Sequence, residues 1–238
     1  MNSVFRDFGA RVREVNGYFL FVEKLANEEV AIQPLNESAN VFSTSKNDEL
    51  LKTLKAASYL LLYNLVESTM RNAIEAIFTE LKNRKISYDD CRFELKKEIL
   101  KNFKKRSIDT IFPKLMSLAQ DVIFETFERQ EIFSGNLDAQ SIRETAKRFG
   151  FQIPQEKNFW LLRTVKDHRN DLAHGIKSFA DIGREASASD LKEARAQTVK
   201  LLAKTLRGIK NYLVYQEYLA NNTRFKSTLA EFSEGSLK

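Results

Sequence analysis

Tyr59-Leu60-Leu61-Leu62-Tyr63-Asn64-Leu65-Val66, wound as a helix, is apolar on nearly every side. A surface helix carries one apolar stripe, whereas a helix that is apolar all round is normally enclosed by other elements. The octet sits inside a longer periodic run, so the spacing predicts a long helix over 48–83 at the centre of a bundle.

The flanking segments read the same way. Phe8, Val12, Val15, Phe19 and Val22 recur at spacings of three and four, which predicts an amphipathic helix over 5–26. Asn27 to Asn47 holds Pro34 and a polar Asn/Ser/Thr run, the composition of a loop. Beyond the central helix, 90–103 and 108–128 read as two more helices, with Pro113 tolerable in a first turn, where its missing amide is not needed. A short helix over 138–149 is closed by Gly150. The next, 155–174, follows Pro154 and ends at Gly175. The last long helix covers 190–219, with Ser187 and Ser189 available as caps, and the polar residues after Asn221 are expected to fray. Phe103, Phe112, Phe124, Phe127 and Phe133 fall at positions suited to core packing rather than base stacking. The expectation is an all-α, single-domain helical bundle of about six to eight helices over residues 1–238, with no internal repeat and no linker long enough to separate two domains.

Composition sets the outer limits. Eight Gly and three Pro among 238 residues leave little turn chemistry for a β protein. The single cysteine, Cys91, excludes an internal disulfide framework and fits a reducing cytoplasm. No apolar run approaches the roughly 20 residues that span a bilayer, and the opening MNSVFRDFGARVREV is charged too early for a secretory signal. A net charge of +6 and a pI near 9.2 favour polyanionic partners. There is no P-loop and no GxGxxG, so no nucleotide cofactor is expected. Two histidines six apart without a cysteine pair give no structural zinc pattern. Asp167 and Asp171 could touch a metal, but a magnesium nuclease needs more carboxylates converging, so no metal is expected.

Chemistry concentrates in Arg169-Asn170-Asp171-Leu172-Ala173-His174, followed by Gly175. Histidine can give and take a proton near neutrality, and arginine is a permanently charged, forked donor to phosphate oxygens. Together they suit metal-free cleavage of a phosphodiester. Leu161, Leu162, Val165, Leu172 and Ile176 define a core-facing stripe. At about 100° per residue, Arg169 falls inside that stripe. Asn170 and His174 lie opposite, on the face shared with Arg163 and Asp167. A buried arginine is costly unless paired. Arg169 and His174 are about 140° apart on an ideal helix, so a distorted last turn or a second protomer would help to bring both to one phosphate.

The run Arg169 to Gly175 resembles the Arg-x4-His signature of the HEPN superfamily, small helical domains that include many prokaryotic ribonucleases. Leu61 to Phe78 (LLYNLVESTMRNAIEAIF) is similar to the long early helix of HEPN proteins from defence and toxin loci, and Ser134 to Phe151 (SGNLDAQSIRETAKRFGF) to the segment before their catalytic helix. The resemblance covers roughly residues 48–215. It implies a helical bundle whose homodimer brings two motifs together to cut RNA, in a toxin-antitoxin or anti-phage setting with an antitoxin or defence-system partner protein. It further implies 2′-hydroxyl attack on the adjacent phosphate to leave a 2′,3′-cyclic phosphate. His174 would then be general base or acid, Arg169 would stabilise the phosphorane, and Asn170 would orient the phosphate or His174. The competing expectation is a non-catalytic HEPN-type module for nucleotide or RNA binding or for dimerisation, with Arg169 purely structural.

Supporting residues have two readings each. Glu67 and Arg71 are either an ordinary i, i+4 ion pair or members of the site, with Glu67 (or Asp171) neutralising Arg169, or Arg71 adding charge for phosphate. His168 reads as a satisfied boundary residue. The run Arg92, Lys96, Lys97, Lys101, Lys104, Lys105 and Arg106 is either a solvated face or a phosphate-tracking surface for sequence-independent RNA binding.

Overall fold

The computed structural model describes residues 1–30, 32, 44–104, 137–153 and 161–221. Its axis is α2 (Thr44–Asn83), a helix of 40 residues. Ala56, Leu62, Met70, Ala73, Ile74, Ile77 and Leu81 along it are wholly shielded from solvent, and Tyr59, Tyr63, Leu65 and Val66 nearly so. Each Leu, Ile or Met buried in this way contributes about 1.5–3 kcal/mol. A helix lined so continuously must be enclosed, and α2 packs against α1 (Asn2–Ala26), α5 (Leu161–Ala173), α6 (Phe179–Glu185) and α7 (Ala188–Val214). A 3-10 turn (Tyr88–Asp90) leads into α3 (Phe93–Lys104), which packs on α4 (Ala139–Phe149). The described residues thus form seven α-helices and an all-α fold. None of these helices is long and apolar enough to cross a membrane.

Local rules account for most boundaries. Asp138 caps α4 by accepting from the Ser141 amide at 2.8 Å, and Gly150, at φ 84°, closes it. Ser187 caps α7 through the Asp190 amide at 3.0 Å. The expected helix over 108–128, and Phe112, Phe124, Phe127 and Phe133, lie outside the described residues, as do the side chain of Phe103 and the tail after 221.

Two elements depart from expectation. Helix α6 has no counterpart in the periodicity because seven residues are too few to display it. Its signal is the capping box, in which the Ser178 hydroxyl accepts from the Asp181 amide at 3.1 Å and the Asp181 carboxylate accepts in return. The last helix stops at Val214 rather than Leu219. There the Glu217 amide bonds Tyr212 O at 2.9 Å across Gln216, whose φ is 54°. Helices α1 and α2 end in the same kind of turn, at Glu28 (φ 58°) and Lys85 (φ 52°). Glycine usually marks such a stop, and at Gln216 that signal is missing from the sequence. Past Gln216 the chain turns back along α3's entry, with the Arg92 amide donating to Tyr218 O at 2.7 Å and the Ala220 amide to Asp90 O at 2.9 Å.

Candidate active site

Helix α5 carries the motif. Leu161, Leu162 and Val165 are buried as the stripe requires and Leu172 is half-buried against the core, but Ile176 is 69 % exposed. The helix explains the exception. The Gly175 amide bonds Leu172 O at 3.3 Å and the Ile176 amide bonds Asp171 O at 2.8 Å, a Schellman closure with Gly175 at φ 66°. A side chain is strained at that angle, and the turn throws Ile176 off the helical stripe.

Arg169, placed on the core side by its register, is half-buried. Its guanidinium carbon lies 4.4 Å from the centre of the Tyr63 ring of α2, and its Nη1 donates to Asn170 Oδ1 at 2.9 Å. The cost of bringing a charge to the core edge is offset by an aromatic face, an interaction worth about 0.5–2 kcal/mol. Tyr63 is itself buried, and its Oη accepts from the Leu137 amide at 3.3 Å. Burial pushes its phenol up, with Glu67 adding to the rise, while the Leu137 hydrogen bond and the charges of Arg169 and Arg71 oppose it. Glu67 and Arg71 therefore belong to the same neighbourhood. Arg71 Nη2 donates to Glu67 Oε1 at 2.7 Å, so the i, i+4 pair forms and also borders the motif arginine through Tyr63.

His174 is exposed at the carboxyl end of α5, and Asn170 is half-buried. The His174 amide still bonds Asn170 O at 3.0 Å, so the helix is regular up to His174 and no distorted last turn closes the angle to Arg169. Arg163 and Asp167 share the outer face and pair at 3.7 Å. The charge of Asp171 acts on His168. His168 is a boundary residue, its ring 4.5 Å from that of Tyr59, but it is not satisfied, because its buried Nδ1 has no hydrogen-bond partner. Burial, followed by the charge of Lys177, lowers its pKa and favours the neutral ring.

The motif helix is tied down at its middle. Lys166 Nζ donates to Asp138 Oδ2 at 2.8 Å, while Asp138 Oδ1 caps α4. Burial alone would raise the Asp138 carboxyl, yet the Lys166 and Ser141 hydrogen bonds outweigh it and hold the pKa below its usual value. Tyr63 and Asp138 are the residues that sequence reasoning passed over. Tyr63 looked like core, and nothing local shows what lies on its face.

The basic run is less uniform than its composition. Arg92 is buried, its Nη1 donating to Gly150 O at 2.9 Å and Glu217 O at 3.3 Å, so it clamps the ends of α4 and α7 instead of facing a phosphate. Lys96 is half-buried and donates to Asp89 O at 2.8 Å. Lys97 and Lys101 are exposed, Lys97 lying 4.3 Å over the Phe93 ring and Lys101 3.5 Å from Glu98. The side chain of Lys104, and Lys105 and Arg106 altogether, lie outside the described residues. A groove of about 360 Å³ between α1 and the second half of α2 is lined by Asp7, Glu75 and Glu80, carboxylates unsuited to a polyanion. Among the described residues no three His, Cys, Asp or Glu side chains gather as a metal site requires.

Against known families, the HEPN_MAE_28990-like HEPN model matches residues 1–218. No curated protein and no solved structure matches the chain significantly.

Proposed function

This chain belongs to the HEPN superfamily as a HEPN_MAE_28990-like member, and from that premise we propose that it is a metal-independent endoribonuclease working as a homodimer. Membership of the family points to an RNA-related function. The observation that carries the finer reading is the placement of Arg169, whose guanidinium rests on Tyr63 and bonds Asn170 one turn from an exposed His174. In the proposed reaction the RNA 2′-hydroxyl attacks the adjacent phosphorus, the bond to the 5′-oxygen breaks, and the products are a 2′,3′-cyclic phosphate and a 5′-hydroxyl. His174 takes the 2′-proton or returns one to the leaving oxygen, a role worth about 10² to 10⁴ in rate. Arg169 stabilises the charge that builds on the phosphorane, and Asn170 orients the phosphate or His174.

The regular last turn of α5 favours a shared site. With Arg169 and His174 held about 140° apart on one helix, a phosphate that meets both draws them from two chains. Ile176 and Phe179, exposed just past His174, supply apolar surface to such an interface. By family analogy the setting is a toxin-antitoxin or anti-phage system with a protein partner.

The test is incubation of the protein with total RNA in EDTA, beside His174→Ala. Cleavage by the wild type alone, with cyclic-phosphate ends, supports the reading. Retention of RNA without cleavage favours instead a non-catalytic binding module, for which the Tyr63 stack would serve stability.

A further inference from the structure

Tyr63, Glu67 and Arg71 follow one another at intervals of four, so they stand on one side of α2 within about 80°. The first of them meets Arg169 of α5 ring to guanidinium. Tyr63 is fixed at both ends. Its ring is only 3 % exposed within the core, and its Oη accepts the Leu137 amide at 3.3 Å just before α4. Leu137 is followed by Asp138, which caps α4 and accepts from Lys166 of α5 at 2.8 Å. The frame that orients the ring is therefore the frame that holds the motif helix.

The mode of contact matters for phosphate chemistry. A carboxylate facing an arginine takes the in-plane N–H donors, the same donors that a phosphate needs. An aromatic ring attracts the guanidinium through its quadrupole and does not compete for them as a carboxylate does. The Tyr63 ring, 4.4 Å from the guanidinium carbon, thus helps to hold Arg169 in place beside Asn170, whose Oδ1 accepts from Nη1 at 2.9 Å.

We propose that Tyr63 is the positioning residue of the site, its ring holding the Arg169 guanidinium where it engages the scissile phosphate. This rests on the ribonuclease reading above. The hydroxyl anchors the ring through Leu137, and the electron density of the ring face holds the guanidinium, which separates positioning from mere filling of the core.

The experiment replaces Tyr63 by phenylalanine and by phenylalanines of increasing ring fluorination, which keep shape while draining the face of negative potential. Tyr63→Leu removes the ring. Two quantities are read on the full chain, RNA cleavage in EDTA and the Nε–Hε resonance of Arg169, assigned by its disappearance in Arg169→Lys. Expected, relative to Tyr63→Phe as the hydroxyl-free reference, are a stepwise fall in kcat to about tenfold across the fluorine series and an unchanged KM. The Arg169 resonance lies displaced by the ring in wild type and Tyr63→Phe and returns to the ordinary arginine position in Tyr63→Leu. Rates independent of fluorination overturn the proposal, as does an Arg169 resonance insensitive to loss of the ring. A displaced resonance in a protein that cuts no RNA overturns the ribonuclease reading itself and reduces Tyr63 to a structural support. If Tyr63→Leu does not fold, the fluorinated series decides alone.

Discussion

Lys166 of α5 and Asp138 at the start of α4 meet at 2.8 Å, so the carboxylate that caps one helix also holds the helix that carries the motif. Both side chains are largely shielded, 19 % and 15 % exposed, so the pair is weakly screened compared with surface pairs such as Arg163 and Asp167. Loss of Asp138 would free a helix start and loosen the motif helix together.

That pair makes stability depend on acid. The Asp138 carboxyl is held below its usual value in the folded chain, so its contribution is fully present above the unfolded pKa of about 3.9 and is lost as pH falls through the lower folded value. Asp138→Asn keeps an oxygen for the cap and removes the charge. Urea unfolding of both proteins should show a stability gap at neutral pH that closes below about pH 4. A gap constant down to acid would mean that the charge of Asp138 is not what stabilises the fold.

His174→Ala should abolish cleavage, a loss of about 10² or more, and leave the melting temperature within about 3 °C. The exposed position of His174 is the reason, since little packing goes with it. An active variant would remove His174 from the chemistry.

Arg169→Lys should lose most activity, because an ammonium has neither the bidentate fork nor the flat face that rests on Tyr63. Single-turnover rates on a defined RNA read this directly. A lysine variant that cuts at the wild-type rate would show that a point charge suffices.

The shared site predicts complementation. Equal mixing of Arg169→Ala and His174→Ala chains gives heterodimers with one intact pair, so about a quarter of wild-type activity should return. No recovery after subunit exchange, shown by sedimentation to have occurred, would place both groups in one chain.

Gly183 of α6 lies so close to α2 that an added Cβ would collide with Lys52 O. The obstacle is backbone and cannot swing away. Gly183→Ala should therefore cost about 1–3 kcal/mol, measurable by urea unfolding. A neutral substitution would mean that α6 is free to shift on α2.

The helical class, the central helix and the Asp138 and Gly150 ends of α4 were legible in the sequence, because periodicity and capping depend on residues within a turn or two of each other. The start of α7 was legible to within two residues, with Ser187 the one of the two offered caps that is used. Its end at Val214 was not, since the stopping turn is built on Gln216 instead of glycine and leads into a segment that bonds Asp90 and Arg92 from far away in the chain. Arg92 shows the same limit from the other side. In composition it belongs to a basic run, and only the carbonyls of Gly150 and Glu217, brought to it by α4 and α7, make it a buried clamp.

The sequence by itself determined that α5 is a helix, that it ends at Gly175, and that Arg169 and His174 leave it on different sides, all consequences of a fixed advance of about 100° per residue. Only the tertiary structure decided what Arg169 meets on its side. A helical wheel assigns a direction, but the energy of a charge at the core edge depends on the group across the interface. Here that group is the ring of Tyr63, contributed by a helix far away in the chain and set in place by the packing of α2 against α5.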